Sequence, residues 1–177
     1  NKPDRMNRLD AEIVDALHHS WERFMETDGE RVAVIAGNGR AFSAGADLNA
    51  IPHDLYRAIP GVGVPVDKPI VAAVQGWCVG GGMVLTTMCD LMVAADDAMF
   101  SYPEVKIGFS GGLISNLASR IPHKIAMELL LTGKPITAQR AYEVGYVNKL
   151  TPTDEVLAAA MEFAEGIAAQ APLPSRM

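Results

Sequence analysis

Cysteine is scarce in this sequence. Cys78 and Cys89 are the only two in 177 residues, and both sit in apolar surroundings without CxxC spacing. A disulfide framework is therefore not expected, and buried thiols of a reducing compartment are the simpler reading. The four histidines, His18, His19, His53 and His123, form neither HExxH nor a Cys/His ligand set, so no metal centre is indicated. No apolar run reaches the length of a membrane span, because Gly, Asp or Lys interrupts each one. Basic residues are outnumbered and the net charge is −6. This argues against nucleic acid or an anionic membrane as the main partner, although it leaves room for a local phosphate-binding patch. Nucleotide loops are missing as well. Cys78 stands where the second glycine of GxGxxG would fall, and no GxxxxGK[ST] occurs. There are no internal repeats or low-complexity tracts.

What is present is apolar content: 49% of residues are hydrophobic and 20% charged, enough to close one core over residues 1–177. Met6, Leu9, Ile13, Leu17, Trp21 and Phe24 recur at helical spacing and predict a first amphipathic helix ending near Gly29. Buried strands are expected at 31–36, 69–74 and 91–95, with a short fourth at Met99-Phe100. Residues 40–50 read as a small-residue loop, and 51–68, with three prolines, as a mobile surface excursion. The Gly80-Gly81-Gly82 run opens a helix through Met88. Further helices are expected at 112–120, 123–132, 137–144 and 153–169, the last with Thr151 as N-cap and Pro152 at its first position. Strands alternating with helices give an α/β class with a partly parallel sheet and a helical C-terminal side. The chain is expected to be cytoplasmic. Its start at Asn1 leaves an upstream targeting segment open, and the Pro172-Leu173-Pro174 ending reads as a connector.

Chemistry-bearing residues are few. Two small-residue turns follow buried strands, Ala41 to Leu48 and Gly76 to Gly82. Such turns let a ligand approach the backbone, and two N–H groups converging on one point would make an oxyanion hole. They are equally readable as tight turns with no ligand. Glu104, in Ser101-Tyr102-Pro103-Glu104-Val105-Lys106-Ile107-Gly108, is a carboxylate in an apolar stretch. It is either an acid–base group with a raised pKa or a solvent-facing partner of Lys106. Gly108-Phe109-Ser110-Gly111-Gly112 matches G-x-S-x-G, but the only downstream histidine, His123, precedes Asp154, the wrong order for that hydrolase class.

Taken together, these blocks resemble the crotonase (enoyl-CoA hydratase/isomerase) superfamily. The resemblance runs through Gly39 to Leu48, Lys68 to Gly76, Gly80-Gly81-Gly82, Cys89-Asp90, Phe100, Pro103 to Gly108, Leu131 to Ala138 and Gly145-Tyr146-Val147-Asn148. It implies a spiral of ββα units and assembly as a homotrimer or a hexamer. It also implies an acyl-CoA thioester as substrate, with no cofactor beyond that coenzyme A. The thioester oxygen would be held by the backbone N–H groups of Ala44 and Gly81, with Glu104 as acid–base. Arg40, Phe42, Ala46, Asp47, Leu48, Trp77, Gly80, Val84 and Pro103 are the expected substrate- and CoA-binding set. Members of this family have a strand pair ahead of the segment that begins at Asn1 and trimer-forming helices beyond Pro174, so the chain is expected to lack both. The stretch from Asp47 to Lys68 is also shorter than the family's mobile active-site loop.

The sequence departs from the family at one telling position. The family's hydratases carry a second glutamate in the helix after the glycine run, and here that position is Val84. Water addition needs one group to activate water and one to manage the α-proton, whereas a single carboxylate suits a proton shuttle between two carbons. Double-bond isomerisation of an enoyl-CoA is therefore the first expectation. Hydratase chemistry with water held by another group, and a family lyase, hydrolase or decarboxylase, stand as alternatives. A non-catalytic crotonase-fold binding subunit is the reading from a different class, and the intact Ala44, Gly81 and Glu104 weigh against it.

Overall fold

The computed structural model of the chain describes residues 1–109 and 112–171. Ser110 of the G-x-S-x-G pattern and the Pro172-Leu173-Pro174 connector lie outside these residues. The elements run α1 (Ala11–Glu26), β1 (Ala33–Ala36), β2 (Ala41–Ser43), β3 (Ile70–Val74), β4 (Trp77–Val79), α2 (Gly81–Thr87), β5 (Leu91–Ala95), β6 (Met99–Ser101), α3 (Leu117–Arg120), α4 (His123–Thr132), β7 (Ile136–Thr137), α5 (Ala138–Glu143), β8 (Lys149–Thr151) and α6 (Val156–Ala168).

The strands alternate between two sheets, ordered β1-β3-β5-β8 and β2-β4-β6-β7. All pairings are parallel except β6 with β7. From β1 to β6 the chain lays one strand on each sheet in turn, a winding of ββα units like that expected, and β7 then stays on the second sheet before β8 returns to the first. The central strand β3 is buried along its whole length. Buried on both faces, it reads as a continuous apolar run, as parallel strands do. The one-strand-per-block reading missed β2, β4, β7 and β8. They are two or three residues long and rich in Gly neighbours, so no period-2 alternation could build up.

Three helix boundaries differ from expectation for local reasons. Helix α1 starts at Ala11, with Asp10 accepting from the Ile13 amide at 3.0 Å. Met6 and Asn7 cannot belong to it because both have positive φ, 51° and 49°. Thr151 ends β8, and its hydroxyl donates to the Pro152 carbonyl instead of capping. The segment 153–155 is a 3₁₀ turn before α6. Residues 112–116 are likewise 3₁₀, with only Leu117–Arg120 α-helical.

Several polar motif residues serve as backbone braces. The buried Lys68 ammonium donates to the carbonyls of Phe24, at 2.6 Å, and Thr27, at 2.9 Å, closing the C-terminal end of α1. Asp90 accepts from the Ile70 amide and Asn148 from the Met92 amide, each at 2.8 Å. Both tie strand starts to neighbouring turns. The excursion 51–68 is pinned at its middle, because Ala58, Ile59 and Pro60 are buried and the Trp21 indole donates to the Ala58 carbonyl at 2.8 Å. Its outer residues Ile51 and Tyr56 remain exposed. Cys78 and Cys89 are buried free thiols, and burial pushes the Cys78 thiol up to about 12.

Candidate active site

The C-terminal ends of β2, β4 and β6 open into a cavity of about 690 Å³. The loop 44–48, the start of α2, the 3₁₀ turn Pro103–Ile107 and the excursion after Asp47 all contribute to its wall. Parallel strands place their following turns at one end of the sheet, which is where such α/β folds keep their ligands.

Two of these turns are in contact. Gly45 has φ +84°, and a Cβ there would lie 2.8 Å from the Val79 carbonyl and 3.3 Å from the Gly81 nitrogen. A Cβ on Gly81 would in turn lie 3.6 Å from the Ala46 nitrogen. The glycines are needed because backbone meets backbone here. The expected pairing of Ala44 with Gly81 fails at Ala44, whose amide already donates to the Met6 carbonyl at 2.9 Å. The neighbouring residues Leu9, Gly45 and Asp47 bond as a short bridge, Leu9 to Gly45 at 2.7 Å and Asp47 to Leu9 at 3.2 Å. Between them, the Ala46 amide has no partner among the described residues. The Gly81 amide, the first of α2, has none either, as the first N–H groups of any helix lack intrahelical acceptors. Both residues line the cavity.

Glu104 sits on the same wall. A Cβ on Gly80 would come within 2.4 Å of Glu104 Oε1, so the carboxylate lies directly over the glycine that precedes α2. Gly80 has φ +53° and is held by its amide donating to the Ser101 carbonyl at 2.9 Å. Glu104 Oε2 is buried without a hydrogen-bond partner. Burial pushes the carboxyl up to about 7, partly offset by a backbone hydrogen bond of its own. No ion pair between Glu104 and Lys106 forms among the described residues.

Of the expected binding set, Ala46, Leu48, Gly80, Val84 and Pro103 line the cavity, whereas Arg40, Phe42, Asp47 and Trp77 do not. Phe42 is 4% exposed and packs in the core because β2 turns it inward. Asp47 is spent on an ion pair with Arg8 at 3.1 Å and on accepting from the Asn49 amide. Arg40 and Trp77 are exposed at the far ends of β2 and β4, away from the cavity. Sequence reasoning passed over Met6 to Leu9, which brace the 44–47 turn. Asn7 donates to the carbonyls of Asn38 and Ala41, at 2.8 and 2.9 Å, and its own carbonyl accepts from Ser43 Oγ. Tyr102, which stood outside the expected binding set, is 5% exposed and also lines the cavity. The period-3.6 reading assigned the first group to a helix, and a lone tyrosine carries no motif.

Free backbone donors beside a half-buried carboxylate, in a cavity at the ends of three parallel strands, give this α/β fold the form of an enzyme site. The family model for enoyl-CoA hydratase/isomerase matches residues 1–177. The chain is 35% identical to (E)-benzylidenesuccinyl-CoA hydratase of Thauera aromatica, over 98% of its own length and 72% of the relative's. It is 32% identical to 2,3-dehydroadipyl-CoA hydratase of Escherichia coli, with the same coverage, 98% and 72%. A crystal structure of enoyl-CoA hydratase from Mycobacterium tuberculosis H37Rv superposes with TM-score 0.90 at 37% identity, over 99% of this chain and 72% of that one. The chain belongs to the enoyl-CoA hydratase/isomerase family of the crotonase superfamily. Among the described residues no helix is long and apolar enough to cross a membrane.

Proposed function

We propose that this chain shifts the double bond of an enoyl-CoA thioester, using Glu104 as the single proton carrier and the Ala46 and Gly81 amides as the oxyanion donors. One observation carries the reading: among the described residues Glu104 is the only carboxylate lining the cavity, and Val84 occupies the α2 position where a second would stand. Two N–H groups at the thioester oxygen stabilise the enolate charge as it develops, an effect worth about 2.7–4 kcal/mol per donor in comparable holes. Glu104 then removes a proton from one carbon and returns it to another two bonds away. A carboxyl near neutrality suits both halves of that shuttle. The acyl-CoA substrate and a homotrimeric or hexameric assembly belong to the same proposal.

Paired assays test it. Isomerisation is followed by the appearance of conjugated enoyl-thioester absorbance from a 3-enoyl-CoA, and hydration by its loss from a 2-enoyl-CoA. Isomerisation should run much faster. Val84→Glu should raise hydration measurably while falling short of a natural two-glutamate enzyme, since a new carboxylate there lacks partners to fix it. Wild-type hydration at about 10 s⁻¹ or more, the median for good enzymes, would overturn the single-carboxylate reading.

A further inference from the structure

We infer that Tyr102 is a second substrate-contacting group of this site, holding the oxygen that adds to Cβ of a 2-enoyl thioester. The inference rests on the enolate reading above and goes beyond it by giving a hydration side-reaction a specific residue. Among the described residues the cavity wall contains four side chains able to hydrogen-bond: Tyr56, Tyr102, Glu104 and Lys106. Tyr56 is 54% exposed at the rim. Lys106 is exposed and lays its stem against Gly133, where a Cβ would meet its Cε at 3.2 Å. Only Tyr102 is buried, at 5% exposure, and its hydroxyl makes no hydrogen bond with any described residue.

Every other buried tyrosine hydroxyl is satisfied: that of Tyr146 meets Thr86, Thr87 and the Met83 carbonyl at 2.9–3.2 Å. The Tyr102 hydroxyl has no such partner, and Glu104 Oε2, two residues on, is buried without one. In this reading a water bridges that hydroxyl and the Glu104 carboxylate. Burial, with the Glu104 charge, pushes the Tyr102 phenol up to about 12, so it stays protonated and cannot serve as the base.

The step then balances with groups already present. Water donates one hydrogen bond to Tyr102 Oη and the other to Glu104. Its oxygen bonds to Cβ as Glu104 takes the proton, and the alkene pair moves onto the thioester oxygen. Glu104 returns the proton to Cα as that pair falls back, and the net change is addition of H₂O. With no second carboxylate to activate the water, hydration is slow but real.

The test is Tyr102→Phe assayed on both substrates. Hydration should fall tenfold or more, the loss of about one hydrogen bond of 1.4 kcal/mol in the transition state, while isomerisation stays within about twofold. Wild-type protein with no measurable hydration, an unchanged hydration rate in the variant, or an equal fall in both reactions would overturn the role. If Tyr102→Phe does not fold, 3-fluorotyrosine placed at 102 keeps the shape and weakens the acceptor. The hydration-to-isomerisation ratio should then drop, and an unchanged ratio refutes the inference. Glu104→Gln separates the two readings: it should abolish both reactions, and isomerisation surviving it would sink the enolate reading whatever Tyr102 does.

Discussion

The two walls of the cavity are built in opposite ways. One wall, 44–47 with 80–84, is nearly all backbone: small residues at strand ends, each turn held by short-range bonds to Met6, Leu9 or Ser101. The other, from Leu48 to Tyr56 and from Ile107 to Phe109, is side chain, with Leu48 65%, Ile51 53%, Ile107 58% and Phe109 58% exposed. The first can place two N–H groups firmly and supports the Glu104 carboxylate over Gly80, because changing it means moving strands. The second can change shape at little cost. Rate should therefore depend on the first wall and acyl preference on the second.

The sharpest way to break that division is Glu104→Gln, which should cost about 10²–10⁴-fold in turnover while acyl-CoA affinity, measured by calorimetry, is largely kept. Near-full activity would remove Glu104 from the reaction. Gly80→Ala comes next. Its Cβ would fall 2.4 Å from Glu104 Oε1 at a φ of +53°, so the carboxylate must move. Displacements near 1 Å can cost about 10²-fold, with backbone strain of about 1–3 kcal/mol visible in chemical denaturation. A variant with wild-type turnover would show that the carboxylate works from elsewhere.

The pH dependence sharpens the same wall. The proposed isomerisation starts from the ionised carboxylate, so kcat/KM should fall about tenfold per pH unit below about 7, the value to which burial raises Glu104. Stability should move the other way. The folded protein holds this proton over a range where the unfolded chain, near 4.5, has released it, so Glu104 lowers stability progressively as pH rises from about 4.5 to about 7 and by a constant amount above. Glu104→Gln should then raise Tm more at pH 8 than at pH 5, and an equal change at both would show the group is not buried in its ionised form.

Two smaller effects test the anchoring and the outer wall. Tyr146→Phe removes a hydroxyl that ties Thr86, Thr87 and the Met83 carbonyl together beneath α2. It should cost about 1–3 kcal/mol of stability and little turnover, because β4 and Ser101 still seat the helix start. Phe109→Ala should change kcat/KM by only a few fold on short acyl chains and more on long ones, within the 1–3 kcal/mol of a pocket contact. An equal loss on all chain lengths would place Phe109 with the reacting wall instead.

Much of this was legible in residues alone. An apolar run such as Ile70 to Val74, bounded by Pro69 and Gly76, reads as a buried strand, and the glycine run after it as a turn opening a helix, so the α/β class and the small-residue wall follow from composition and order. The lone Glu104 and the apolar Val84 follow from identity. The free amide of this turn lies two residues beyond the expected one, because Ala44 and Ala46 are the same amino acid, and only the bond from Ala44 to Met6 tells them apart. Phe42 and Asp47 were misplaced for a similar reason: a strand's side chains alternate in direction, and the strand there is too short to declare its phase.

The amino acids by themselves determined which groups exist to do chemistry: one carboxylate in an apolar segment, small residues where a thioester must approach, and no second acid after the glycine run. The tertiary structure decided which backbone N–H groups are left unbonded, how far Glu104 is desolvated, and that Tyr102 shares its cavity. Those properties are set by hydrogen bonds and burial between segments far apart in sequence, from Met6 against Ala44 to Gly80 beneath Glu104. A free amide is defined by what fails to reach it, and no local pattern of residues encodes that.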